Sequence, residues 1–315
     1  MPVHLPLKDP ARAYAGDPVA RARVTVTHGR VLRVRAAGLP EASARPARRD
    51  QQVVCGDWVR LRRDERHEEL HVLGVEPRSS AIYRSNAHGG SELIAANLTL
   101  LLVVLAPLPR PDFFIVDRYL AAAHCAGIDA GVVLNKSELP VGEPVEQALS
   151  VLAAVGYAGY TVSALQRTGL GALNDALSGH CTMLVGQSGT GKSSLLQALV
   201  PDIDVAVGAL TRDREGRHTT TATRLYQLPQ GAELLDSPGV RDFAPALDRL
   251  EPRALGFVEL ETLTPRCRFA DCRHLQEPGC AVRAAVGTAI DARRYESYRR
   301  LRRLHDQLRA HSTWP

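Results

Sequence analysis

Hydrophobic and polar residues alternate along the first part of the chain. Arg23–Thr27 and Val31–Arg35 both alternate in this way, and His28-Gly29 between them is typical of a tight turn. The pattern predicts two paired strands, followed by a loop over Ala37–Asp50. Further short strands are predicted at Val53–Val54, Gly56–Asp57, Trp58–Leu61 and Leu70–Val75. Several short strands in one small region predict a β-barrel of the OB-fold type, with an SH3-like barrel as the alternative.

From Arg78 onward, continuous apolar runs alternate with segments of helical spacing. An uninterrupted run such as Leu100–Leu105 is typical of a strand buried on both faces. The other strands are predicted at Gly131–Leu134, Thr161–Val162, Thr182–Val185, Thr223–Leu228 and Ala232–Leu235. The helices are predicted at Asp112–Ala126, Glu143–Val155, Leu170–Leu177 and Ser194–Val200. Strands that alternate with helices predict an α/β domain on a mainly parallel sheet.

Charge is distributed unevenly along the chain. Residues 20–75 carry a net charge of +5 and residues 265–315 one of +6, whereas the remainder is acidic. This arrangement indicates a catalytic module between two modules that bind polyanions. The alternative is a bias toward arginine, since 36 of the 39 basic residues are Arg, that only decorates solvated surfaces.

No association with a membrane is expected. Met1–Tyr14 has no apolar stretch typical of a signal peptide. Leu98–Ala106, the longest apolar run, is too short to span a bilayer. We therefore expect a cytoplasmic protein.

A phosphate-binding loop is predicted directly after the strand Thr182–Val185. Gly186, Gly191, Lys192 and Ser193 match the pattern G-x-x-x-x-G-K-[ST]. Glycines let backbone N–H groups turn toward phosphate oxygens at a helix N-terminus, while Lys192 reaches the β/γ-phosphates and Ser193 binds Mg²⁺. The predicted GTP-binding residues here are Gly186, Gln187, Ser188, Gly189, Thr190, Gly191, Lys192, Ser193 and Ser194. The flanking strand and helix disfavour the alternative, a glycine-rich turn that binds no nucleotide.

Four further segments resemble loops of guanine-nucleotide-binding proteins. Asn135-Lys136-Ser137-Glu138 resembles the N-K-x-D loop that reads the base, and Ser163-Ala164 resembles the S-A-K loop beside it. Asp236-Ser237-Pro238-Gly239 matches D-x-P-G, in which Asp orients a water on Mg²⁺ and the Gly N–H meets the γ-phosphate. Gly216–Thr221 lies where a switch loop presents a threonine hydroxyl, here Thr220, to Mg²⁺.

The order of these segments is unusual. In Ras-like proteins the phosphate loop comes first and the base-reading loop last, whereas here Asn135 precedes Gly186, which precedes Asp236. Ligands bind outside the carboxyl ends of parallel strands, where these loops are placed. The order therefore predicts a circularly permuted domain whose γ-phosphate loop leads directly into the C-terminal region.

A cluster of cysteines and one histidine follows this domain. Cys267, Cys272, His274 and Cys280 supply three thiolates and an imidazole within 14 residues. This is the ligand set of a closed tetrahedral Zn²⁺ site with a structural role. Disulfide bonds are the alternative, but three clustered cysteines leave one unpaired and the cytosol is reducing.

The chain ends in a predicted helix over Arg293–Arg309. Its apolar face carries Tyr298, Leu301, Leu304 and Leu308. Its other faces carry Arg299, Arg300, Arg302 and Arg303. We expect these arginines to contact phosphates, although a solvated helix has the same pattern.

The motifs follow one another in the order NKSE, SA, GQSGTGKSS, GRHTTT and DSPG, then C-x₄-C-x-H-x₅-C, and a basic barrel precedes them. This order resembles that of the circularly permuted ribosome small-subunit-dependent GTPases, the RsgA/YjeQ family. The resemblance covers about residues 20–311. It implies a multidomain protein with an OB-fold β-barrel (20–77), a circularly permuted α/β P-loop GTPase domain (78–246) and an α-helical zinc-binding domain (247–315). The residues before the barrel, 1–19, are Pro-rich and without periodicity, so we expect them to form a flexible leader. The resemblance also implies a monomer that uses GTP with Mg²⁺, holds one structural Zn²⁺, and binds the small ribosomal subunit and its rRNA, which stimulate hydrolysis.

Two positions require separate comment. The family usually has Asp where this chain has Glu138, and the extra methylene loosens guanine selectivity unless the loop shifts to compensate. Val240 lies where Ras-like enzymes have a water-orienting Gln, so slow intrinsic hydrolysis is expected. The resemblance implies that His218, in the switch loop, is the catalytic residue that takes this role on the ribosome.

The main hypothesis is an enzyme that hydrolyses GTP to GDP and phosphate as a timer of ribosome maturation. One alternative is a non-catalytic RNA-binding chaperone in which the nucleotide only sets the conformation. Another is an ATPase with relaxed base selection, which Glu138 would permit.

Overall fold

The computed structural model describes residues 20–29, 31–64, 69–85, 90–200, 222–237 and 244–312. Its strands are β1 (Ala20–His28), β2 (Val31–Arg35), β3 (Ala42–Pro46), β4 (Trp58–Asp64), β5 (Glu69–Val75), β6 (Ala81–Ser85), β7 (Ser91–Ala96), β8 (Leu100–Leu105), β9 (Asp129–Leu134), β10 (Ala158–Thr161), β11 (Cys181–Val185), β12 (Thr223–Gln227) and β13 (Glu233–Asp236). Its helices are α1 (Phe113–Cys125), α2 (Glu143–Ala154), α3 (Leu170–Leu177), α4 (Lys192–Leu199), α5 (Val258–Glu261), α6 (Ala281–Ala284) and α7 (Ala292–Ser312).

Strands β1 to β5 form a closed barrel. β1 pairs with β2 on one side and with β4 on the other, and β3 joins β2 to β5, which completes the circle through β4. Alternate residues of each strand fill the interior, as Val24 on β1 and Leu61 on β4 do. The predicted OB-type barrel is confirmed.

The region between β2 and β4 differs from its prediction. β3 lies inside the predicted loop Ala37–Asp50, because Ala42 and Ala44 are buried at alternate positions although their small side chains give a weak signal. Neither Val53–Val54 nor Gly56–Asp57 is a strand. The backbone N–H of Val54 instead donates to the Asp57 carboxylate at 2.9 Å, which builds a turn.

The central sheet places parallel strands in the order β10-β9-β8-β11-β13, with β12 antiparallel at its side. Successive residues of β8 face opposite sides of this sheet. Leu101 and Val103 belong to the core that includes Leu120 of α1. Leu102 and Val104 belong to the core on the other face, which α3 and α4 cover. Burial on both faces explains the uninterrupted apolar run.

A hairpin of β6 and β7 was not predicted. Its first strand is hydrogen-bonded to the segment that follows D-x-P-G in the chain. Ser85 N–H donates to Ala244 O, and Ala246 N–H donates to Tyr83 O, each at 3.0 Å. Arg118 of α1 also donates to Pro245 O at 2.7 Å. The exit from the γ-phosphate loop is therefore held by the hairpin and by α1.

The barrel and the central sheet share hydrogen bonds. β1 pairs with β12 through Val26 opposite Arg224 and Thr27 opposite Thr223, so eleven of the described strands form one continuous sheet. Arg23 of β1 is 5% exposed and donates to Glu233 at 2.8 Å and to the Cys181 sulfur at 3.2 Å.

The C-terminal region packs against α1 through a buried cluster of charges. Asp117 of α1 is fully buried and accepts from Arg293 and from Arg294, at 2.8 Å each. Arg294 also forms a bidentate pair with Glu259, with both distances at 2.7 Å. Burial lowers the pKa of Arg294, but the two carboxylates more than offset this effect and its pKa is raised overall.

Helix α7 confirms its predicted apolar face, because Tyr298 and Leu301 are fully buried. Its polar faces differ from the prediction. Arg302, expected among the exposed arginines, is 3% exposed and donates to the backbone carbonyl of Arg253 at 2.7 Å.

No helix in the described parts of the chain combines the length and the apolar character needed to cross a membrane.

Replacement of Asp117 by Ala is expected to destabilise the protein by about 3–5 kcal/mol, because the buried guanidinium of Arg294 and the partly buried one of Arg293 would lose their shared partner. Urea unfolding of the full chain measures this change. Glu296→Ala removes an exposed partner of Arg299 at 2.8 Å and is the matched control, expected to cost less than about 1 kcal/mol. Equal unfolding midpoints for the two variants would show that the cluster does not anchor α7.

Candidate nucleotide site and candidate metal centre

The predicted phosphate loop joins β11 to α4. Gly186 has a φ of +134°, and a Cβ there would collide with the carbonyl oxygen of Val104. Gly191 has a φ of +87°, and a Cβ there would collide with the side-chain amide of Asn135. Only glycine fits both positions, because the loop passes close to the end of β8 at Val104 and to Asn135 just after β9.

Lys192, at the first position of α4, is 7% exposed. Its ammonium group donates to the carbonyl oxygens of Gly186 and Gln187, both at 2.6 Å. The side chain therefore curls back over the loop. Phosphate oxygens bound inside the loop would offer the same ammonium group charged acceptors, which form stronger hydrogen bonds than neutral carbonyls.

Asn135 connects the base-reading segment to both neighbouring loops. Its side chain is buried, donates to Thr190 O at 3.0 Å, and accepts from the backbone N–H of Ala164, also at 3.0 Å. Ser137 N–H donates to Val162 O at 3.1 Å, at the end of the neighbouring strand. Three segments predicted from separate motifs thus meet at the carboxyl edge of the sheet.

Lys136 has a φ of +59° and lies along the phosphate loop. Its ammonium group donates to Gly189 O at 2.6 Å and to Leu108 O at 2.9 Å. Ser163 is fully buried, and its hydroxyl accepts from Gln166 N–H at 3.0 Å. These contacts fix the walls between which a base would lie.

Glu138 supplies the carboxylate of the base-reading segment. The adjacent Ser163 hydroxyl holds the pKa of Glu138 below its usual value, so this side chain is ionised at neutral pH. Its Oε2 atom is enclosed and has no hydrogen-bond partner within the described residues. A carboxylate with unused acceptor capacity fits a base that presents N–H donors, as guanine does.

The γ-phosphate side of the site is described in part. Asp236 ends β13 opposite Arg224, and Ser237 forms a hydroxyl–hydroxyl hydrogen bond of 2.7 Å with Thr223. Ser193 and Ser194 lie in the first turn of α4, and Ser188 in the phosphate loop. The predicted residues His218, Thr220 and Gly239 lie outside the described residues.

One contact was missed by sequence reasoning. The Gln187 side chain accepts from the backbone N–H of Asp112 at 2.9 Å, and Asp112 in turn caps α1 by accepting from Phe114 N–H. Pro109 packs against Gly189 of the phosphate loop. The available signal was the position of Pro109 and Asp112 just after β8, at the same carboxyl edge.

The predicted metal ligands lie together. The donor atoms of Cys267, Cys272, His274 and Cys280 are all within 4.8 Å of one another. Cys267 Sγ lies 3.9 Å from Cys280 Sγ, and His274 Nδ1 lies 3.5 and 3.4 Å from these two sulfurs. A tetrahedral zinc ion with Zn–S of about 2.3 Å places sulfurs about 3.8 Å apart, so the donor set fits Zn²⁺. The cysteines are free, which rules out the disulfide alternative among them.

The surroundings of His274 set its tautomer. It is fully buried, and burial lowers its pKa to about 4, so the ring is neutral. Nε2 lies 3.2 Å from the Thr264 hydroxyl, which itself donates to Leu260 O at 2.8 Å. Nε2 therefore carries the proton and Nδ1 presents its lone pair to the thiols, as a metal ligand requires.

Comparison with known proteins agrees with this geometry. The family model described as RsgA GTPase matches residues 75–245. The chain belongs to the RsgA GTPase family. It is therefore a GTP-hydrolysing enzyme of the circularly permuted kind, which confirms the resemblance seen in the order of the motifs.

Curated relatives extend the RsgA match beyond the GTPase domain. "Small ribosomal subunit biogenesis GTPase RsgA" of Chromohalobacter salexigens is 41% identical over 306 residues, which cover 93% of this chain and 89% of that protein. The protein of the same name from Ectopseudomonas mendocina is 42% identical over 255 residues, 79% of this chain and 74% of that protein.

Solved structures show the same fold. YjeQ from Thermotoga maritima matches with a TM-score of 0.69 at 21% identity and covers 92% of this chain and 98% of that one. YloQ, described as a circularly permuted GTPase, matches with a TM-score of 0.68 at 18% identity and covers 93% of this chain and 96% of that one. The fold of this chain, over more than nine tenths of its length, is thus shared with both solved structures.

Replacement of Gly191 by Ala is expected to lower GDP affinity by at least about tenfold, because the new Cβ displaces the Asn135 amide from the phosphate loop. Isothermal titration with GDP measures the change. Gly171→Ala is the matched control, since nothing lies within 4 Å of a Cβ at that helical position and nucleotide affinity should not change. GDP binding by Gly191→Ala at the wild-type affinity would contradict the assigned contact.

Metal analysis of the wild-type protein is expected to give about one zinc per chain. Cys272→Ser should lose the metal and lower the melting temperature, while GDP affinity is retained because none of the four residues belongs to the predicted nucleotide loops. Cys125→Ser removes a free cysteine outside the cluster and should keep the metal. A zinc-free wild type purified without chelator would refute the site.

Proposed function

We propose that this GTPase acts in late maturation of the small ribosomal subunit and hydrolyses GTP to GDP and phosphate faster when it is bound to that subunit. The observation that carries the nucleotide part is the Asn135 side chain, which joins the base-reading and phosphate loops through one buried amide. The curated relatives, which are named small ribosomal subunit biogenesis GTPases, support the choice of partner.

Different residues contact the base and the phosphates in this proposal. Glu138 accepts from the guanine N–H groups, with Asn135 and Lys136 beside the base, and the Ser163-Ala164 backbone contacts its carbonyl. The backbone of Gly186–Ser194 and the ammonium group of Lys192 hold the phosphates. Mg²⁺, when bound, neutralises charge that develops on the phosphates.

The γ-phosphate end is assigned from the motifs. Ser193 and Thr220 would hold Mg²⁺, Asp236 would orient a water on it, and the Gly239 N–H would donate to the γ-phosphate. His218 is the proposed water-orienting residue. Because Val240 cannot take that role, hydrolysis should depend on a partner that positions His218 for it.

The flanking modules are the proposed contacts with ribosomal RNA. Their basic composition favours phosphate binding, and the Cys/His cluster, with Zn²⁺ bound, would fix the C-terminal fold. We assign the barrel to 20–77, the GTPase domain to 78–246 and the zinc domain to 247–315, with 1–19 as a leader, in a monomeric cytoplasmic protein.

Phosphate release from GTP and from ATP, with and without purified small subunits, tests the proposal. We expect slow GTP turnover that the subunits accelerate, no ATP turnover, and none by Lys192→Ala. His218→Ala should lose the acceleration but keep its GDP affinity. Absence of GTP turnover with subunits would favour the non-catalytic chaperone, and equal ATP turnover would favour the ATPase.

Base selection is tested by the affinities of wild type, Glu138→Asp and Glu138→Ala for GDP, ADP and XDP. Adenine presents no N–H donor at N1, so a well-placed carboxylate should reject it by a factor on the order of 10⁴. Glu138→Asp should be tolerated, and Glu138→Ala should lose guanine affinity. If Glu138→Ala binds GDP as the wild type does, Glu138 does not read the base.

A further inference from the structure

A pocket of about 630 Å³ lies in the C-terminal region, away from the nucleotide site. Its walls are the segment around Pro252, the metal-binding loop and the last turns of α7. Its charged lining residues are Arg253, Asp271, Arg273, Arg302, Asp306 and Arg309. A pocket of this volume accommodates a molecule the size of a nucleotide.

Two buried side chains hold the walls in place. Arg302 donates to the carbonyl oxygen of Arg253 at 2.7 Å and to the Tyr298 hydroxyl at 3.0 Å. The Tyr298 hydroxyl donates to the carbonyl oxygen of Arg273 at 2.7 Å. Both walls are thus tied to α7, so the pocket is part of the folded structure and needs no rearrangement to form.

The exposed charges at the rim are of both signs. Arg253 is exposed, and its guanidinium has no hydrogen-bond or ion-pair partner within the described residues. Arg273 is 62% exposed and approaches Asp306 only at 3.5 Å. Asp271 is exposed, and its carboxylate is likewise without a partner in the described part of the chain. The pocket therefore offers an anion site and a separate acceptor.

We infer that this pocket binds one unstacked nucleotide of single-stranded RNA, with Arg253 on its phosphate and Asp271 on the N–H groups of its base. Every nucleobase of RNA presents such donors, and a carboxylate accepts them well. A site for phosphate alone would be weakened by Asp271 and Asp306, and an acidic peptide would be repelled by both. The inference rests on the proposed function, which supplies RNA as the partner.

Fluorescence anisotropy of the full chain, loaded with GDP and titrated with a labelled ten-nucleotide single-stranded RNA, tests this inference. Arg253→Ala should weaken binding about three- to tenfold and reduce the slope of log affinity against log salt by about 0.7, the loss of one phosphate contact. Arg266→Ala, an exposed arginine outside the pocket lining, is the matched control and should change affinity less than about twofold. Equal effects of the two variants would overturn the inference.

Asp271→Asn separates a nucleotide pocket from a phosphate pocket. If the Asp271 carboxylate accepts from the base, Asp271→Asn should bind intact RNA more weakly and should bind an abasic strand of equal length as the wild type does. A phosphate pocket predicts the opposite, tighter binding of both strands, because a repulsive charge is removed. A labelled poly-glutamate peptide that binds more tightly than the RNA and loses this affinity in Arg253→Ala would identify an acidic protein partner and overturn the inference.

Crosslinking with 4-thiouridine RNA locates the contact directly. Peptides that contain residues 252–253 or 271–273 should carry the crosslink in the wild type and lose it in Arg253→Ala. Crosslinks confined to the barrel would refute the pocket. Neither measurement needs ribosomes or hydrolysis, so failure of subunit-stimulated GTP turnover with retained pocket binding would count against the proposed function alone.

Discussion

The hydrogen bonds of the buried Asn135 side-chain amide hold three loops of the candidate nucleotide site in one arrangement. These loops follow β9, β10 and β11, and their parallel alignment brings the strand ends to one edge. The permuted chain order therefore leaves these hydrogen bonds intact, since they depend on the position of each strand in the sheet and not on its position in the chain. Gly191 is required because a side chain there would enter the space of this amide.

The two flanking modules are attached to the GTPase domain by different physical means. The barrel joins through backbone pairing of β1 with β12 and through the buried Arg23. The C-terminal region joins through Asp117, which accepts from two arginines of α7. Helix α1 carries Asp117, and its N-terminal cap is Asp112, whose backbone N–H donates to the Gln187 side chain. The phosphate loop and the C-terminal region thus contact the same helix.

The sequence predicted those features whose signal is local. Motif spacing singled out three segments that the structure brings to one sheet edge and four Cys/His side chains that it brings into one cluster, and apolar runs located the central strands. β3 was missed because Ala42 and Ala44 have small side chains that give little hydrophobic contrast. Arg302 was expected on the surface because burial of arginine depends on partners distant in the chain, here the backbone at Arg253. The contact of Gln187 with Asp112 likewise joins residues far apart in sequence.

The pairing of β1 with β12 has a further consequence. An open sheet presents unpaired N–H and C=O groups along its outermost strand, and such a strand can pair with another chain. β1 covers β12 at Thr223 and Arg224, so the barrel shields part of that edge. A GTPase domain cut free of its barrel would expose these backbone groups and tend to self-associate. Loss of RNA binding after such a deletion would then reflect aggregation as much as the absence of a basic surface.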